Sequence, residues 1–107
     1  MTEVRFLFTG EFLTGFHMKG HSTASAEDEA GRLVCSAVSS AVYMAMNTVL
    51  EVIGATADVR ENPETADMHF VVHSDFEEAM PILCGLKLHL EQLSGQYPEH
   101  ITIISEV

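Results

Sequence analysis

Between residues 33 and 53, apolar side chains recur at Leu33, Val34, Ala37, Val38, Ala41, Val42, Ala45, Met46, Val49, Leu50 and Ile53, the three-and-four spacing of one helical face. A helix this long in a chain of 107 residues must lay that face on something, and the length allows one hydrophobic core. Gly54 follows where a left-handed residue closes a helix, because glycine takes positive φ without a side-chain clash.

The partner for that face is a sheet. Residues 4–8 and 12–19 are rich in Phe, Val and Leu and are joined by Thr9-Gly10-Glu11, the pattern of a hairpin. Residues 56–60 and 68–73 form a second pair, with the turn signal Asn62-Pro63 between them. Asp75 stands as an N-cap before Glu77 and Glu78, and Ala79, Ile82, Leu83, Leu86, Leu90 and Leu93 then mark a second amphipathic helix, with Pro81 tolerated near its start. The β-branched run at 101–104 adds a last strand. The expected fold class is α+β: a two-layer, mostly antiparallel sheet with two helices, order ββαββαβ, in a single domain over residues 1–107.

Charge narrows the function. Five Lys and Arg against sixteen Asp and Glu give a net charge of −11, which repels phosphate backbones and anionic lipid; no nucleic acid and no membrane are expected as partners, and a basic partner is favoured. With 47% hydrophobic and 20% charged residues the chain is an ordinary globular protein. No run of eighteen apolar residues without charge and no signal-peptide pattern is read in it, so a cytoplasmic location is expected. In a reducing compartment Cys35 and Cys84 are thiols, too few for a disulfide scaffold.

Residues 20–31 carry neither period, hold the acidic run Glu27-Asp28-Glu29, and read as a loop between two glycines. His21 opens this loop and Cys35 follows fourteen positions later. If the helix begins near Leu33, Cys35 lies in its first turn, where unpaired N–H groups and the helix dipole favour a thiolate. The loop can bring His21 back over that turn to act on the thiol as a base. Ser36 and Ser39 follow on the opening turns, with Ser39 on the face of Cys35, and backbone amides there are candidates for an oxyanion hole. Spacing alone favours a small buried cysteine and a histidine at a strand end.

Gly20-His21, the helix start Val34-Cys35-Ser36-Ala37-Val38-Ser39, Met46-Asn47, the segment Gly85-Leu86-Lys87-Leu88-His89-Leu90-Glu91-Gln92-Leu93 and Tyr97-Pro98 together resemble the ribosomal-processing cysteine protease family, Prp, over nearly the whole chain. The resemblance implies a Cys35 and His21 catalytic dyad, Ser39 in the place of the family's serine, and Gly20 and Ser36 beside them in substrate binding or oxyanion support. It implies a homodimer, no metal and no organic cofactor. The substrate it implies is large-subunit ribosomal protein twenty-seven, from which an N-terminal extension is removed. The chain departs from the family in a His-to-Cys loop about two residues longer, in Arg32 where an acidic residue is usual, and in Ser22 and the acidic run within the loop.

Other residues are read as structural. Cys84 sits among Leu83 and Leu86 and is expected to pack. His17, His69, His73, His89 and His100 lack a ligand motif, so no metal is expected. Met44, Met46 and Met80 are expected to fill core, and no glycine-rich phosphate loop is visible. Two rivals stand against the protease: a non-catalytic acidic module that binds a ribosomal protein, and a thiol sensor, for which Cys84 is a poor resolving partner.

Overall fold

The computed structural model describes residues 1–21 and 28–104. The order is β1 (Thr2–Thr9), β2 (Phe12–Lys19), α1 (Glu29–Asn47), β3 (Ala57–Asn62), β4 (Asp67–Val72), α2 (Phe76–Gln96) and β5 (Ile101–Ile104). This is the expected ββαββαβ order of an α+β fold. One mixed sheet carries the strands in the order β3-β4-β2-β1-β5, antiparallel throughout except for the β1–β5 pair. Both hairpins form as expected, and α1 and α2 are the crossovers that carry the chain to the far side of its own sheet.

Alternation of side chains across the strands puts every large buried residue on one face. Phe6 lies opposite Phe16, and Phe16 opposite Phe70, their rings in contact at centroid separations of 6.4 and 5.5 Å. Val4, Met18 and Met68 form the next row. Val34, Val38, Val42, Ala45, Met46 and Val49 from the first helical segment and Ala79, Leu83, Leu86, Leu90 and Leu93 from α2 cover these rows. The opposite face carries Arg5, His17, His69 and Arg60 in one line across the strands.

The register requires glycine at Gly15, where a Cβ would come within 2.0 Å of the Phe70 carbonyl oxygen on β4.

Several expectations need correction. The first helix begins at Glu29, not near Leu33, because the Asp28 side chain accepts from the Gly31 N–H and serves as the N-cap. Glu29 of the acidic run is thus the first helical residue, favourably placed at the positive end of the dipole. At its other end the helix passes into a π-helical turn, Thr48–Ile53, before Gly54 closes it at φ 80° as expected. Leu33 and Met44, read as core, are exposed. Asp75 occupies the N-cap position of α2 but at φ 53° and without a side-chain cap bond; its carboxylate accepts from Ser74 Oγ instead. Residues 33–50 hold no charged side chain, and the segment Glu29–Ile53 is long and apolar enough to cross a membrane by length and composition. Its stripe of buried valines lies on the sheet instead, as in a core helix.

Candidate active site

The C-terminal end of β2, the N-terminal end of β1 and the β3–β4 hairpin meet at one end of the strands, and α1 runs over that end. A cleft of about 270 Å³ opens there. Met18 enters it from β2, Gly20 and His21 from the residues that follow β2, and Thr2 from β1. Cys35, Val38, Ser39, Val42 and Tyr43 enter it from α1. Glu61, Asn62, Pro63, Ala66, Asp67 and Met68 form the wall given by the hairpin.

Local chemistry fixes each part. Gly20 sits at φ 86°, and a Cβ there would meet the Met1 carbonyl oxygen at 2.4 Å, so only glycine lets β2 end against the start of β1. Its own carbonyl accepts from the Thr2 hydroxyl at 3.1 Å. The next residue, His21, is thereby delivered to the cleft, where it is exposed. Cys35, Ser39 and Tyr43 follow one another at i, i+4 and i+8 on α1 and share the face that looks into the cleft. Cys35 is half-buried.

The earlier helix start changes the electrostatics expected at the thiol. Counting from Glu29, Cys35 is the seventh residue of α1, beyond the unpaired amides of the first turn. The amides around Cys35 belong to the helix ladder and are not an oxyanion hole. That leaves His21 and the Ser39 hydroxyl, among the polar side chains lining the cleft, to serve the thiol's chemistry.

The structure therefore brings together Cys35, His21, Ser39 and Gly20. Ser36 is exposed and does not line the cleft. Residues 22–27, with Ser22 and Glu27 of the expected substrate loop, lie outside the described residues. Cys84 is exposed on α2, contrary to the packing expected of it, and it does not line the cleft. His17 and His69 prove to be cross-strand neighbours, their rings 5.6 Å apart. Among the described residues no group of three His, Cys, Asp or Glu is arranged to hold a metal.

Sequence reading missed Tyr43 and the hairpin wall. The Tyr43 hydroxyl donates a hydrogen bond to the Glu61 carboxylate. That bond, then burial, then the charge of Glu61 hold the phenol above its ordinary pKa of 10.0. Tyr43 was detectable in the four-residue spacing from Cys35 and Ser39. Glu61 and Asp67 reach the cleft only through the crossover that sets the β3–β4 hairpin against β2 by way of β4.

Comparison with known proteins places the chain in a family and a fold. The family model described as "Cysteine protease Prp" matches residues 1–102. Among solved structures, the chain is similar to an essential ribosomal processing protease Prp from S. aureus in complex with a covalently linked product peptide, at 18% identity and TM-score 0.86, covering 99% of this chain and 100% of that one. The same protease in complex with a substrate peptide superposes with the same TM-score of 0.86 and the same coverage. SMU.848 from Streptococcus mutans matches at 18% identity and TM-score 0.82, over 99% of this chain and 96% of that one. These likenesses show the fold. No curated protein matches the chain.

Proposed function

The chain belongs to the cysteine protease Prp family, and from that premise we propose that Cys35 is the nucleophile and His21 its proton acceptor. The observation that carries this reading is that thiol and imidazole, fourteen residues apart in sequence, line one cleft. Cys84, the other thiol, lies outside it.

In this mechanism the Cys35 Sγ attacks the scissile carbonyl as His21 takes the thiol proton, forming a tetrahedral oxyanion. Collapse breaks the C–N bond, and His21 returns the proton to the leaving amine. Water, deprotonated by His21, then adds to the thioester; the carboxylic acid leaves and the thiol is restored. The Ser39 hydroxyl, one helical turn beyond Cys35, donates to the oxyanion. Gly20 keeps β2 and β1 close enough to set the imidazole at the cleft.

The substrate we assign is large-subunit ribosomal protein twenty-seven carrying an N-terminal extension, processed in the cytoplasm. A basic ribosomal protein is attracted by a surface of charge −11. The solved relative from S. aureus, a ribosomal processing protease with a peptide bound, supports the same assignment. A homodimer is part of this reading: Leu33, Met44 and Leu88 are exposed on the helices, and Met44 lines a groove between them with Ala37, Ala41, Ile82 and Leu86.

A peptide chloromethyl ketone tests the site. It should alkylate Cys35 and spare Cys84, and His21→Ala should slow the alkylation by at least about tenfold through loss of the base. Preferential labelling of Cys84, or labelling of Cys35 indifferent to His21→Ala, would refute the assignment.

A further inference from the structure

One end of the cleft is charged. Tyr43 stands eight residues after Cys35 on α1 and lines the same cleft. It donates its hydrogen bond to Oε1 of Glu61, at the far end of β3. A neutral donor orients the carboxylate without cancelling its charge. Asp67, where β4 leaves the hairpin, brings a second carboxylate to the same wall. Among the described residues lining the cleft there is no lysine or arginine. Arg60, His17 and His69 share a shallower pocket with Glu61 and Asp67 outside the cleft, but on the cleft side the carboxylate faces no lysine or arginine and can take a cation from a substrate.

We propose that Glu61, held in place by Tyr43, is a specificity-determining residue that receives a lysine or arginine side chain of the peptide substrate, with Asp67 adding to the attraction. This rests on the reading of Cys35 as nucleophile. It also predicts where the basic residue lies. Eight residues of helix advance about 12 Å, which an extended peptide covers in roughly three or four residues. The basic side chain is therefore roughly three or four residues from the scissile bond. Tyr43 acts here as a positioning residue.

The test uses the whole protein and synthetic peptides. A bond that the wild type cleaves in a random peptide library, and Cys35→Ala does not, supplies the parent sequence. A single lysine is then walked through both flanks of that bond in an otherwise uncharged peptide. Lysine at one position should raise kcat/KM over alanine by roughly fivefold, the scale of a partly exposed ion pair, and mainly through KM. Glu61→Gln should collapse that preference, Tyr43→Phe should diminish it, and Glu61→Lys should turn it toward glutamate. In Glu61→Gln the Tyr43 phenol should also titrate at lower pH by ultraviolet absorbance, showing the bond exists in solution. Cys35-dependent cleavage that ignores lysine at every position, or a lysine preference that survives Glu61→Gln, would overturn the proposal while leaving the protease site intact. A library in which nothing is cleaved in a Cys35-dependent way would overturn the site, and this proposal with it.

Discussion

His100 Nε2 lies 3.3 Å from the carboxylate of Asp28, so the chain just before β5 is tied to the residue that caps the helix carrying Cys35. Asp28 Oδ1 also accepts from the Gly31 N–H at 2.9 Å. Both side chains are largely buried, at 17% and 19% exposure, which shields the contact from screening. The thiol's helix is thus anchored by the far end of the sequence.

His100→Ala should consequently loosen the beginning of α1. The expected loss is about 1.5–3 kcal/mol, the scale of one hydrogen bond to a charged partner. Urea unfolding measures it, and hydrogen exchange should quicken first at the amides of Gly31 and Arg32. An unchanged midpoint with unchanged exchange would show that the Asp28 cap stands without His100.

The two glycines at the ends of β2 should respond unequally to alanine. Gly10 has φ 61° and open space around it, whereas Gly20 has φ 86° and the Met1 carbonyl oxygen 2.4 Å from where a Cβ would sit. Gly10→Ala should cost about 1 kcal/mol, the strain of a left-handed alanine. Gly20→Ala should cost clearly more, about 2–4 kcal/mol, because the β1 and β2 ends must also separate. Equal midpoints in denaturant would contradict the close approach assigned to Gly20.

How much of this was legible in the sequence follows from which forces are local. The helical stripe from Val34 to Val49 and that from Ala79 to Leu93 were readable because burial against one sheet imposes their period. Strand order within each hairpin was readable from turn chemistry at Gly10 and Asn62-Pro63. The start of α1 was not, since residues 28–32 are polar or small and only the Asp28 side-chain bond reveals a helix there. Likewise Leu33 and Met44 fit the apolar pattern but fall at its outer edge. Cys35, His21 and Ser39 stand out from the loop and the helix start, but spacing alone favours a buried cysteine, and it is the family resemblance that turns them into a dyad with its serine. The Glu61 and Asp67 wall depends on a crossover that no local signal encodes.

The Asp58 carboxylate gives a pH-dependent handle on the sheet edge. Its pKa lies below the usual 3.8, chiefly because it shares a hydrogen bond with His73 and further because of that histidine's charge. A depressed folded pKa means the contribution to stability is present above the unfolded value and disappears as the pH falls through the folded one. Carboxyl chemical shifts should show Asp58 titrating below its normal range, and His73→Gln should move it back up. An Asp58 titration at 3.8 in the wild type would contradict the pairing. The group is fully exposed, so global stability should barely register the change.

Gly85 lies inside α2, exposed, with nothing within 4 Å of a built Cβ. Gly85→Ala should stabilise the chain by about 0.5–1 kcal/mol through the helix propensity gained. A higher unfolding midpoint is expected. A lower one would contradict the open space around Gly85.

The central claim is that Cys35 cleaves. Purified wild type, Cys35→Ala and Cys84→Ala are each incubated with the N-terminally extended ribosomal protein, and intact mass is followed with time. One truncated product is expected from the wild type and from Cys84→Ala, and none from a folded Cys35→Ala. Product formed by Cys35→Ala, or a substrate left whole by all three proteins in their folded state, would contradict it.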